Sequence, residues 1–171
     1  MLARRIAHYL PDLVYGANDG VITTFAVVTG VVGADLSRTI ILILGFANLT
    51  ADGISMGASN YLARRSTVED EERQSRVDAL RHGGATVIAF VVAGIVPLLA
   101  YLLPIPAGGR FETAIALTGL TLFAVGAGRS LFTGLSPLRS GLEMLLVGSL
   151  AAVAAYLIGA LAAAVTGGIR A

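Results

Sequence analysis

The chain contains no cysteine, which excludes disulfides, thiolate metal ligands and thiol redox chemistry. It contains no lysine either: all 12 basic residues are arginine. With the alanine and glycine load, this bias suggests a GC-rich genome and says nothing about mechanism. Charge is scarce, at 13% of 171 residues against 56% hydrophobic, and the mean hydropathy is +0.81. A soluble domain carries about 25% charged residues. A water-soluble fold is therefore excluded, and an all-α polytopic membrane protein is expected. No nucleophile and base constellation, phosphate loop or nucleotide fingerprint occurs, so neither an enzyme nor a resident cofactor is expected. The arginines are scattered rather than gathered into a nucleic-acid-binding surface. The opening MLARRIAHYL lacks a small-residue cleavage site, so the first span is expected to target the membrane itself.

What is there in quantity is apolar sequence. Five spans are predicted, at 12–33, 39–63, 84–103, 111–133 and 140–166, each long enough as a helix to cross ~30 Å of hydrocarbon. Together they make one transmembrane domain over 1–171, with a short cytoplasmic helical link at 64–83. The breaks are a polar turn at 33–38, where Ser37 is placed to cap the second helix, and the Pro and Gly clusters at 104–109 and 134–137. Pro97 is expected to kink the third span. Nine arginines (4, 5, 64, 65, 73, 76, 81, 129, 139) fall on one side and three (38, 110, 170) on the other. The positive-inside rule then puts the N-terminus in the cytoplasm and, after five spans, the C-terminus outside. An odd number of spans does not divide into two inverted halves. A symmetric pathway is more simply made by two copies, so a two-fold homodimer is expected.

Polar residues within the apolar runs carry the functional signal. In the second span Asn48, Asp52, Met56 and Asn60 recur every fourth residue and so share one helical stripe. A carboxylate at the bilayer centre costs about 3 kcal/mol on insertion scales and is rarely left facing lipid. Carboxylate, amide and thioether donors suit a borderline divalent metal, which points to a metal passage. In the first span Asp12, Tyr15, Asp19 and Thr23 form a second stripe, while Gly16 and Gly20 form a small-xxx-small packing pair. Asp12, near the cytoplasmic edge, reads equally well as solvent-exposed. Asp19 lies about seven residues in, at a depth of roughly 10 Å. Met56 lies equally deep from the cytoplasmic end of the second span. The two are expected at one level, with Asp52 a turn deeper near the midplane. Met56 taken alone reads as a core methionine, and the case for it rests on those two neighbours.

The link carries Glu69, Asp70, Glu71 and Glu72 among arginines. It reads first as a solvated helix continuing the second span, with Glu69/Arg73 and Glu72/Arg76 as i,i+4 pairs. The functional alternative is that the four acids concentrate cations at the cytoplasmic mouth. His82 and His8 read as caps or solvated side chains, with metal ligation the alternative for His82. Glu143 reads as an ion pair with Arg139, and Glu112 as exposed at the outer mouth. Thr23, Thr24, Ser55 and Ser59 are expected to bond their own helix backbones. Gly53 and Gly57 read as close-packing positions.

The segments from Tyr15-Gly16-Ala17-Asn18-Asp19-Gly20 through Val31, and from Gly45-Phe46-Ala47-Asn48 through Ser59-Asn60-Tyr61-Leu62, resemble the vacuolar iron transporter family, five-span proton-coupled carriers of ferrous iron and manganese. The resemblance is strong over residues 11–75 and general beyond. It implies a homodimer whose metal path runs between the first and second helices of both subunits, with Asp19 and Met56 on that path. Asn48 stands where plant and fungal carriers have a glutamate, and Asp52 follows one turn on. The link at 64–83 is also too short for those carriers' glutamate-rich metal-binding domain. The chain thus looks like the short bacterial and nodulin-like branch, which implies a multi-pass protein of the bacterial cytoplasmic (inner) membrane.

The expected function is export of a divalent transition metal, Fe²⁺ and also Mn²⁺, from the cytoplasm in exchange for protons. The metal ligands would be Asp19, Met56, Asp52 and Asn48, and the partners would be the ion, protons, lipid and a second copy of the chain. One alternative is a membrane-embedded metal-binding or sensing module without turnover. Another is a purely structural dimer whose aspartates are satisfied by packing.

Overall fold

A computed structural model of the chain describes residues 2–66 and 72–167. The regular structure of the described residues is entirely helical: α1 (Leu2–Gly33), α2 (Arg38–Arg65), α3 (Glu72–Gly94), α4 (Val96–Leu102), a 3-10 turn (Ala107–Gly109), α5 (Arg110–Thr133) and α6 (Pro137–Val165). The third predicted span is α3 and α4 together, interrupted at Ile95. Pro97 sits in the first turn of α4, where its missing N–H costs no helical bond. Four stretches are long and apolar enough to cross a membrane: Arg38–Arg65, Arg76–Leu102, Ala107–Leu131 and Pro137–Val165, with mean hydropathies of 1.6, 2.4, 1.4 and 2.2. The chain is thus a multi-pass membrane protein. α1, at 32 residues, is longer than any of these, but Asp12, Asn18 and Asp19 dilute its apolar run and it falls outside the set.

α1 is the central helix and packs against α2, α3, α4, α5 and α6. Its Val21, Phe25, Val28 and Val31 are buried, in two apolar clusters with residues such as Leu98 and Tyr101 on one side and Ala93 and Leu122 on the other. Gly16 and Gly20 set the approach of α3: a Cβ at either would run into the backbone of Thr86 or Phe90. The small-xxx-small pair is therefore a helix contact. Gly57 and Gly83 play the same part between α2 and α3, each facing the other's carbonyl. On the outside, α6 exposes Leu146, Leu150, Val153, Leu157 and Leu161, an apolar surface that suits lipid rather than water.

Local chemistry explains most element ends. Asp35 turns the α1–α2 corner at φ 53°, a left-handed position that aspartate tolerates better than most residues. Ser37 occupies the N-cap of α2 but makes no capping hydrogen bond, contrary to its expected role. Ser136 does cap α6, accepting from the Arg139 N–H at 3.2 Å, and Gly134 ends α5 at φ 70°. The link departs from expectation: α2 stops at Arg65, and the described half of the link, from Glu72, continues α3 instead. Glu69, Asp70 and Glu71 lie outside the described residues, and the side chains of Glu72 and Arg73 are likewise not described.

Candidate functional site

The candidate site lies where α1 and α2 run antiparallel, and bonds to Asp12 fix their register. The Asn60 amide donates to Asp12 Oδ1 at 2.7 Å. Moving inward a helical turn at a time, residue numbers rise on α1 as they fall on α2. The next level brings Tyr15 and Gly16 opposite Met56, and the one after brings Asp19 opposite Asp52. Both steps have independent support. Pro11, Asp12, Tyr15, Ser55, Met56, Ser59, Asn60 and Ala63 line one groove of about 520 Å³, and Asp52 is near enough to Asp19 for the two charges to interact.

Asp19 therefore pairs in level with Asp52, whereas sequence depth had matched it with Met56. The reason is that α1 continues outward past its apolar run to Leu2, so depth counted from the edge of that run misjudges where the helices meet. Asp19 and Asp52 are both partly exposed, and among the described residues neither carboxylate has a hydrogen bond or ion pair. A turn beyond them, the Asn48 amide nitrogen is buried without a partner among the described residues, as are Asn18 Oδ1 and Thr24 Oγ1. Thr23 bonds its own helix at the Asp19 carbonyl, 2.8 Å away. Thr24, expected to behave alike, has no partner. Ser55 and Ser59 are exposed, as is Tyr15 at 65%, so this face of α1 and α2 is open on a single chain.

The outer end of the groove is built differently. Asp12, which sequence position left between exposed and buried, is only 6% exposed. It accepts from Asn60, from Arg64 Nη2 at both carboxylate oxygens (3.2 and 3.3 Å), and from His82 Nδ1. Asn60 also donates to Thr86 Oγ1 at 2.7 Å and accepts from Arg64 Nε at 3.1 Å. His82 is 1% exposed, so reading it as a cap or solvated residue was wrong: α3 carries it into the interior to meet Asp12. His8 lies 3.1 Å from it, nitrogen to nitrogen, with Asp78 beside both. Asp78 went unrecognised. The available signal was a matched pair of i,i+4 spacings, His8 with Asp12 on α1 and Asp78 with His82 on α3. Far from this site, Glu143 pairs with Arg139 at 3.2 Å as expected and with Arg129 at 2.8 Å, and Glu112 is exposed.

Known proteins are similar to this chain in sequence. Vacuolar iron transporter 1 of Arabidopsis thaliana is 27% identical over 85% of this chain and 82% of its own length. The vacuolar iron transporters of Toxoplasma gondii and Plasmodium falciparum are each 27% identical, over 93% and 88% of this chain and 76% and 81% of theirs. The Arabidopsis alignment runs over 206 residues, more than the 171 present here, so that relative carries sequence this chain lacks. The model of the VIT family matches residues 10–79 and 67–160, two pieces that overlap over residues 67–79. With nearly the whole helical core matched, including every residue of the α1–α2 groove, the chain belongs to the VIT family.

Proposed function

We propose that this chain exports a divalent transition metal, Fe²⁺ and also Mn²⁺, from the cytoplasm in exchange for protons. The observation that carries the reading is the facing of Asp19 and Asp52 without a counter-charge between apolar helices. Two carboxylates at one level of a membrane bundle need neutralising, and either protons or a divalent cation can do it. Metal binding must release the protons, which couples the two fluxes in opposite directions. Met56, a turn outward on the groove, supplies a soft thioether that favours Fe²⁺ over Mg²⁺ and Ca²⁺, ions that take all-oxygen shells. Asn48, a turn inward, extends the row through its Oδ1, the amide atom able to ligate a cation.

The open α1–α2 face supports a homodimer in which the grooves of two copies meet on the two-fold axis. The arginine distribution supports a cytoplasmic N-terminus, and the short link suits the bacterial inner membrane. The names of the relatives, vacuolar iron transporters, support iron as cargo.

The test is flux of Fe²⁺, with Mn²⁺ alongside, in proteoliposomes carrying a pH dye, for wild type, Asp19→Asn and Met56→Ala. Metal movement with opposite proton movement, lost in Asp19→Asn and reduced in Met56→Ala, is the expected result. Flux indifferent to both changes moves the site elsewhere. Absence of flux in the wild type, with metal binding retained, leaves a binding or sensing module.

A further inference from the structure

Three side chains with available lone pairs converge beside the groove, at the Arg64 end of the bundle. His82 Nε2 lies 3.1 Å from His8 Nε2 and 3.5 Å from Asp78 Oδ2. His8 Nε2 lies 3.7 Å from Asp78 Oδ1. The three potential ligand atoms all fall within 4.8 Å of one another. Hydrogen bonding uses this triangle poorly. One N–H between the two imidazoles accounts for the 3.1 Å contact, but 3.5 and 3.7 Å are long for a bond from either ring to the carboxylate. The imidazole pair is already at metal spacing, since ligand atoms about 2.1 Å from a common centre stand about 3.0 Å apart at right angles and about 3.4 Å apart at tetrahedral angles. The Asp78 carboxylate, 3.5 Å from one ring through Oδ2 and 3.7 Å from the other through Oδ1, has to move in to match.

The surroundings orient the triangle for that use. His82 is 1% exposed and its Nδ1 is engaged by Asp12. That contact fixes the proton on Nδ1 and leaves the Nε2 lone pair directed at His8 and Asp78, the arrangement in which a carboxylate sets a metal-binding histidine. Asp12 is itself held by Asn60 and Arg64, so the carboxylate behind the ring does not drift.

We propose that His8, Asp78 and His82 form a binding site for a first-row divalent transition metal, with Asp12 as the positioning residue behind His82. Two imidazoles and one carboxylate suit Fe²⁺, Co²⁺ or Zn²⁺ and not Ca²⁺ or Mg²⁺. His8 and Asp78 are about half exposed, so an ion and a completing water reach the site from solvent. Asp12 lines the transport groove on its other side and so joins the site to the path. On the transport reading above, this is where the ion is first captured; the binding itself does not rest on that reading.

The test uses Co²⁺ as a coloured probe on the full-length chain in detergent, in an Asp19→Asn background that disables the groove. Visible absorption and the titration end point report binding with the groove's carboxylate pair broken, and the cluster substitutions assign it. His8→Ala and Asp78→Asn, both partly solvent-facing and therefore compatible with folding, are each expected to weaken Co²⁺ binding about tenfold or more and to change the absorption band. Binding and band unchanged by both substitutions overturns the proposal, as does a background protein that takes up no Co²⁺. A failed transport reading looks different: Co²⁺ binds at the cluster, yet wild-type vesicles move no metal.

Discussion

Asp12 and Asp19 lie two turns apart on the same helix, and the protein treats them in opposite ways. Asp12 is surrounded by donors: an amide, a guanidinium and an imidazole, contributed by α2 and α3. Among the described residues, the charged group across from Asp19 is another carboxylate, Asp52. Buried polar groups in folded proteins are nearly always partnered from within, so the first arrangement needs no explanation beyond the fold. The second does, because an ionisable group left without a partner inside apolar helices is costly and marks a function. One carboxylate holds three helices together, and the other is left for something that arrives from outside.

Substitutions separate the two roles, and the largest effect belongs to the open pair. Asp52→Asn is expected to reduce Fe²⁺ flux in vesicles to background while unfolding in detergent at the wild-type temperature or above, since it removes one of two like charges. Asp12→Ala acts in the other sense, leaving Arg64, Asn60 and His82 facing a void. Breaking a buried, hydrogen-bonded ion pair costs about 3–5 kcal/mol, so thermal unfolding should show a loss at the low end of that range or more. Gly20→Leu would drive a side chain into the Phe90 backbone. It should cost about 2 kcal/mol by overpacking, read as a lowered melting temperature, with the α1–α3 contact as its cause. Glu143→Gln is the outlying control. It loses contacts to Arg129 and Arg139 at a partly solvated site, and solvent screening should keep its effect within about 0.5 kcal/mol. A larger loss there would mean that paired carboxylates matter throughout the bundle and that Asp12 is not special.

The comparison also shows what a sequence can and cannot carry. Apolar runs of span length made the helices legible, and the packing role of Gly16 and Gly20 followed from spacing alone. The four-residue repeat of Asn48, Asp52, Met56 and Asn60 put Met56 and Asn60 on one face of α2, and both line the groove against α1, because a helix turns the same way wherever it sits. Register was not legible. Which residue of α1 stands opposite Asp52 depends on the Asp12–Asn60 bond, and that bond joins positions 48 residues apart. His82 was misread for a related reason. Seen along the chain it ends a charged link, but α3 begins at Glu72 and carries His82 inward, and only the folded chain brings it to Asp12. The link acids Glu69, Asp70 and Glu71 lie outside the described residues, so their part at a cytoplasmic mouth stands as a sequence-based expectation.

The most direct measurement sets Asp19→Asn beside Asp12→Asn in one experiment, reading Fe²⁺ flux per folded protein in vesicles and melting temperature in detergent. Asp19→Asn should melt like wild type and carry no flux. Asp12→Asn should melt well below it, and whatever fraction remains folded should still move Fe²⁺. If Asp19→Asn instead loses stability and keeps its flux, the unpartnered pair is not the transport site, and the division of labour between the two aspartates is wrong.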